Sequence, residues 1–274
     1  MGNAELLSIH LYPVKACRGE APREAEVEPW GLAGDRRWAL IDDGGKVVTQ
    51  RQQPRLALAA AELLPGGGIW LSAPGLQPLT VAVPDPVGTV ALEIFRDKVE
   101  GVLAGAEAHA WCSAYLGADV RLVHMDDPAT RRPVDPEYAL PGETVSFADG
   151  YPLLVTTVAS LDALNTLMAD GEHAAEGPLP MNRFRPNLVV AGTEPWAEDG
   201  WSRVEIGEVS FRVAKTCGRC AVTTTDQATA GRGREPLHTL GRHRRLGGKL
   251  VFGQNLVPLT HGTVRLGDPV RLIT

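Results

Sequence analysis

The apolar and polar positions of the first hundred residues alternate in short runs separated by Gly and Pro. "LLSIHLYPV" and "RRWALIDDGGKVVTQ" each show a period of two, and the second folds back on itself at Asp43-Gly44-Gly45, which predicts a hairpin. "GGGIWLSAPGLQPLTVAVP" and "VGTVALEIFRDKVEGVLA" continue the pattern, with turn signals about every ten residues, as in a barrel or sandwich. "GAEAHAWCSAYLG" breaks it: Ala108, Trp111, Cys112 and Tyr115 share one helical face, and Gly117 ends the helix. The stretch from Val120 to Pro152 opens with a strand and then carries five prolines, which predicts a long irregular connection and a domain boundary in or just before it. A buried strand, "PLLVTT", follows. Leu161, Leu164, Leu167 and Met168 then give a helix with Ser160 as a possible cap and Gly171 at its end. "RFRPNLVVAG", "WSRVEIGEVSFRVAKTCGRC", "AVTTTD" and "GTVRLGDPVRLIT" all read as strands. The expected architecture is mostly β (α+β), with two or three helices and no solenoid repeat.

Composition narrows the class. At 274 residues, 44% hydrophobic and 22% charged, the chain has ordinary globular composition and enough length for two domains with their own cores. Its net charge of −6 offers no global attraction to nucleic acid or to an anionic membrane, so any anion site must be a local cluster of Arg and Lys. No apolar run has the length of a membrane span, and the first residues lack the pattern of a signal peptide. Met1-Gly2 invites myristoylation, but Leu6 stands where Ser or Thr is wanted. Cys17, Cys112, Cys217 and Cys220 are too few and too unevenly spaced for a disulfide framework, which fits a reducing compartment. The expectation is a cytoplasmic protein.

"KTCGRCAVTTTD" sets Cys217 and Cys220 three residues apart. One C-x₂-C supplies two of the four ligands a structural zinc needs, and His238, His243 and His261 are not at finger spacing. A redox dithiol would open a helix, whereas the β-branched residues that follow predict a strand. Two inert core thiols remain open as a reading, as does a single reactive thiolate. Other segments bear on the choice. In "RFRPN", a strand would put Arg183, Arg185 and Asn187 on one face, where paired guanidiniums are costly unless they meet an anion. Lys15 in "YPVKACRG" and Arg36-Arg37 in "GDRRWAL" lie at strand ends, so one member of each group can enter the same cleft. Lys, Arg and a thiolate converging there would hold phosphate or another anion.

At these residues the chain resembles the MOSC-domain proteins, in the amidoxime-reducing branch where a MOSC-associated β-barrel precedes a MOSC β-barrel. "YPVKACRG", "GDRRWAL", "TQRQQPRL", "FADGYPLLVTTVASL", "RFRPNLVV", "W…IG…F…CGRC…TTTD", "FGQN" and "GTVRLGDPV" occur in the family's order and span nearly the whole chain. The resemblance implies an N-terminal domain over 1–122 and a MOSC domain over 123–274. It implies a molybdenum cofactor whose metal is ligated by Cys220, with Cys217 beside it. Lys15, Arg36 and Arg185 would line the site of the pterin phosphate, with Thr157, Ser160, Asn187 and Asn255 as polar contacts. Ala16 stands where relatives often carry Ser, which removes one hydroxyl contact. The implied activity is reduction of N-hydroxylated small molecules such as amidoximes and hydroxylaminopurines, a detoxification. The four cysteines are not clustered as an iron–sulfur cluster requires, so a separate electron donor is expected. The alternatives are sulfur transfer through a Cys220 persulfide and a non-catalytic cofactor carrier. The basic run from Gly231 to Lys249 is read as a solvated loop outside the site.

Overall fold

The computed structural model describes residues 4–274, so the Met1-Gly2 dipeptide lies outside the described residues. Eighteen strands form four sheets, joined by four α-helices. The largest sheet is a nearly closed barrel in the order β1 (Glu5–Ile9), β12 (Leu188–Ala191), β11 (Leu153–Thr157), β16 (Lys249–Pro258), β14 (Val209–Gly218), β13 (Arg203–Ile206) and β18 (Val270–Ile273), with β15 (Arg245–Leu246) paired to β16. Its interior is Leu6, Ile9, Leu153, Val155, Leu188, Val190, Val204, Phe211 and Leu256, alternate positions of successive strands. The first strand in sequence helps to close this barrel. β1 pairs with β12 on one side, and on the other exchanges bonds with the turn before β18: Leu6 N donates to Asp268 O at 3.0 Å and Gly267 N to Leu6 O at 2.8 Å.

The N-terminal part builds the remaining sheets as a half-barrel. β4 (Trp38–Ile41), β10 (Arg121–His124), β9 (Asp97–Leu103) and β8 (Val90–Ile94) form one sheet; β5 (Ala60–Leu63), β6 (Ile69–Ser72) and β7 (Leu79–Val81) form another. β2 (Glu24–Glu28) and β3 (Gly31–Leu32) join β17 (Gly262–Arg265), so this third sheet again crosses between the ends of the chain. Helix α1 (Ala106–Leu116) buries Ala108, Cys112 and Tyr115 and stops at Gly117, whose φ of 65° suits glycine. The irregular segment after β10 contains one short helix that the sequence pattern did not predict, α2 (Pro128–Arg131), capped by Asp127.

Three local expectations are corrected. The first concerns "RFRPN". Met181–Arg183 is a 3-10 turn and Arg185 has a φ of 53°, so Arg183 and Arg185 diverge instead of sharing a strand face. Second, Ala221–Thr224 is a 3-10 turn, because Thr223 N returns to Cys220 O at 3.0 Å and Thr225 N to Val222 O at 3.1 Å before a ladder can form. Third, the cap of α3 (Val158–Ala169) is Thr157, whose Oγ1 accepts from Ser160 N at 3.1 Å. α3 crosses over between β11 and β12, the one parallel pair of named strands among the described residues. With α4 (Leu237–His243) it packs Leu161, Leu164, Met168 and Leu240 against Phe184 and Phe252, whose rings stack at 3.9 Å. Among the described residues no helix is long and apolar enough to cross a membrane.

His124 on β10 gives a test of the N-terminal packing. It is 5% exposed, its ring lies 4.5 Å from that of Trp38, and its Nδ1 has no hydrogen-bond partner among the described residues. Burial, aided by the nearby Arg37, pulls its pKa from 6.5 to about 4. The unfolded chain therefore takes up this proton first as pH falls. Stability from this group is complete above 6.5 and drains away down to about 4, by about 3 kcal/mol in all. Urea unfolding measured across that range should show this loss, and His124→Phe should flatten it; an unchanged slope in the variant would remove His124 as its source.

Candidate functional site

A cavity of about 1160 Å³ opens where loops of the N-terminal part meet the ends of barrel strands. Lys15, Arg36, Arg185, Asn187, Cys217, Cys220 and Asn255 all line it. Its wall carries eleven Lys and Arg side chains against three carboxylates, although the whole chain is acidic. Such a hollow concentrates positive potential and draws an anion inward.

The two thiols arrive on a disrupted strand. β14 loses register against β16 twice, between Val213 and Lys215 and again between Thr216 and Gly218, and such bulges turn side chains out of the ladder. Lys215 and Cys217 are thereby placed on the cavity wall, and Gly218 leads into the turn carrying Cys220. That turn is held from below. Arg219 N donates to Leu250 O at 2.7 Å, and Cys220 O accepts from Thr223 N at 3.0 Å and Thr223 Oγ1 at 2.9 Å. The buried Arg183 donates to Thr223 O at 3.0 Å and Thr224 O at 3.1 Å, so it braces the turn, and its charge is met by Asp226 Oδ2 at 3.2 Å and not by the cavity. Each sulfur has its own guanidinium. Arg51 Nη1 lies 3.6 Å from the exposed Cys220 Sγ, and Arg219 Nη1 lies 2.9 Å from the half-buried Cys217 Sγ.

The expected cations are not equivalent. Lys15 Nζ donates to Asp149 Oδ1 at 2.5 Å; burial pulls the lysine down, and the ammonium beside it holds Asp149 well below the usual carboxylate range. The Asp149 side chain is 75% accessible because it faces the cavity, so this pair can exchange partners. Arg36 is paired with the buried Asp35 and donates to Asn187 Oδ1 at 2.8 Å. Arg185 differs from both: its guanidinium lies over the Tyr12 ring at 4.2 Å and donates to no acceptor among the described residues. Burial pulls its pKa down, as expected of a cation without a counter-charge.

The backbone around the cavity is strained. Among the described residues six non-glycine residues have positive φ, and four of them, Ala16 (69°), Arg36 (48°), Phe95 (57°) and Arg185 (53°), line this one space. Such conformations cost about 1–3 kcal/mol each and persist where surrounding structure fixes a functional geometry.

Thr157 and Ser160 lie elsewhere. Both are fully buried at the start of α3, where Ser160 Oγ donates to Glu198 Oε2 and accepts from Trp196 N, each at 2.8 Å. Burial raises the Glu198 carboxyl above its ordinary value, and the two hydroxyls serve that buried acid instead of the cavity. Asn187 lines the cavity but is 1% exposed, with Oδ1 bonded to Arg36 and Leu154 N and Nδ2 to His10 O, so it positions its neighbours. Asn255 sits on β16 opposite Leu154 and Lys215. Asp149, Arg51, Arg219 and Lys215 are lining residues that motif reading left out. Arg51 and Asp149 stand inside quoted motifs, "TQRQQPRL" and "FADG", where a charge among strand residues is the only signal.

Comparison with known proteins agrees with this fold. A family model described as "MOSC N-terminal beta barrel domain" matches residues 3–119, and one described as "MOSC domain" matches residues 142–271. The chain belongs to the MOSC family. Among MOSC proteins, mitochondrial amidoxime-reducing component 1 of Mus musculus is 34% identical over 96% of this chain and 80% of its own length. The protein of the same name from Homo sapiens is 33% identical over 96% of this chain and 81% of its own. Molybdenum cofactor sulfurase of Danio rerio is 31% identical over 97% of this chain, which spans only 34% of that longer protein. The MOSC chain is thus an enzyme-family member associated with the molybdenum cofactor.

Thiol labelling tests the placement of the cysteines. Cys17 and Cys112 are buried in the N-terminal core, where burial pushes Cys17 up to about 12 and raises Cys112 as well. Brief alkylation of the folded protein should modify Cys220 first, Cys217 more slowly, and the other two only after denaturation. Peptide mass spectrometry reads the order, and early modification of Cys17 would contradict this packing.

Proposed function

We propose that this MOSC protein is a molybdenum-cofactor oxidoreductase that removes the oxygen of N-hydroxylated small molecules, such as amidoximes and hydroxylaminopurines, using electrons from a separate donor. The single observation carrying the reading is Cys220: an exposed sulfur beside Arg51, on the wall of a cationic cavity of about 1160 Å³. A pterin cofactor fits the residues present. The volume exceeds that of most small-molecule pockets, a soft thiolate suits molybdenum, and the unpaired Arg185 guanidinium offers a phosphate a bidentate donor. When bound, the cofactor supplies a two-electron reduction in which the N–O bond breaks and two protons carry the oxygen away as water.

The chain's own residues hold and orient. Cys220 is the proposed metal ligand, and Arg51 balances its negative charge. Arg185, with Arg36 and Lys15, is the proposed phosphate cradle; an arriving phosphate takes over Lys15 as the exposed Asp149 swings away. Cys217 is fixed by Arg219 and shapes the wall beside the metal position. Thr157 and Ser160 are left out of the cradle because their hydroxyls are committed to Glu198. The division at residue 122 belongs to the same proposal, supported by family matches that end at 119 and resume at 142.

Protein made in a molybdenum-sufficient host should contain about one molybdenum per chain and reduce an amidoxime with a viologen donor. Cys220→Ala should abolish reduction, and Cys217→Ala should keep a measurable part. Arg185→Gln should lower pterin retention by about tenfold or more, the worth of a charge-assisted hydrogen bond. Absence of both metal and reduction in the wild type would defeat the reading. The exposure of Cys220 also suits a sulfur carrier, and cyanide-releasable sulfur on that residue without molybdenum would favour this second reading.

A further inference from the structure

The basic run from Gly231 to Lys249 is only partly a solvated loop: it contains α4, and on that helix His238 faces the segment following α3. After Ala169 the chain turns through Glu172 and His173 into the 3-10 turn Ala174–Glu176. The Glu176 carboxylate accepts from Arg234 N at 2.9 and 3.1 Å and from Glu235 N at 2.9 Å. These bonds clamp the two segments together independently of any ligand. The His173 and His238 rings consequently meet edge to face, with centroids 4.7 Å apart.

What this clamp encloses is chemically unfinished. Nε2 of His173 and Nε2 of His238 are both buried, and neither has a hydrogen-bond partner among the described residues. A Glu172 oxygen lies 3.9 Å from His238 Nε2, and one ligand atom from each of the three residues falls within 4.8 Å of the others. Buried polar atoms normally find partners, so two adjacent imidazole nitrogens left without one point to a shared third body. Two imidazoles and one carboxylate form a borderline donor set that suits the zinc class of divalent ions and disfavours magnesium or calcium, which take oxygen alone. Glu172 is exposed, so rotation of its side chain can close the last gap, and solvent supplies the route of entry.

We propose that Glu172, His173 and His238 bind one late first-row divalent cation, with water completing its coordination. The site contains no sulfur and is separate from the Cys220 cavity. The ion ties the end of α3 to α4. Leu240 of α4 packs in one core with Phe184 and Phe252, and Arg183 links Glu235 O to the turn after Cys220, so the tie stiffens the support beneath that turn.

Full-length protein dialysed against chelator and titrated with Co²⁺ should take up one ion per chain. Visible bands should appear without sulfur-to-cobalt charge transfer, and Zn²⁺ should displace the cobalt and raise the melting temperature. Glu172→Gln, at an exposed position, should weaken affinity on the order of tenfold or more while the metal-free melting temperature stays unchanged. His173→Gln/His238→Gln should eliminate binding. Lack of saturable uptake, equal uptake by the double variant, or a thiolate-type spectrum tracing the ion to Cys217 and Cys220 would each overturn the proposal. None of these readouts requires the molybdenum cofactor, so this inference and the proposed activity fail separately.

Discussion

The cavity depends on one buried amide. The Asn187 side chain receives a hydrogen bond from Arg36 and another from Leu154 N, and gives one to His10 O. Those partners belong to the N-terminal loop carrying Arg36, to the start of the β11 segment and to the end of β1. One amide group holds all three, with both lone pairs of its oxygen engaged and one N–H donated. An apolar replacement of the same size would leave the Leu154 N–H and the His10 carbonyl without this partner in the interior and take one acceptor from Arg36, which would keep Asp35. The pin also explains how Arg36 and Arg185 keep positive φ values, since neighbours that cannot move leave the backbone no easier path.

Electrostatics then follows from burial. Bringing cations to one place inside an acidic chain is unfavourable unless each is compensated, and the structure meets this unequally. Asp35 compensates Arg36 permanently from a buried position, whereas Asp149 compensates Lys15 from an accessible one. Arg185 has only the face of Tyr12, which Arg36 also covers at 4.5 Å. The gradation runs from a structural cation through an exchangeable one to an unsatisfied one, which is the order in which these groups are available to a ligand. A second seam keeps the wall together: Gln50 and Gln227 exchange reciprocal amide bonds of 3.1 and 3.0 Å across the two parts of the chain.

Much of this was legible in the sequence. Period-two alternation located most strands, because a barrel strand has one wet and one dry face, and Gly117 marked its helix end correctly. Ordered motifs brought together seven of the nine expected site residues. The failures share a cause. "RFRPN" and "AVTTTD" carry strand-forming residues but are bent by hydrogen bonds to distant partners, Arg183 to Thr223 O and Thr224 O above all. Thr157 and Ser160 follow a strand whose start, Leu153 and Leu154, lines the cavity, yet they lie beyond its far end and their hydroxyls turn to Glu198, a residue whose burial no local pattern announces. The pairing of Asp149 with Lys15 joins residues 134 positions apart.

The placement of β1 bears on how the molecule is made. β1 precedes its partners in sequence, so it must wait beside the emerging chain until the turn at Asp268 is available, because only then can its second edge be covered. On the ribosome this leaves an open strand edge while the intervening residues are made, the kind of edge that recruits foreign strands. Glu5 and Ser8 are the polar positions of this otherwise apolar strand, the kind of residue that discourages such pairing.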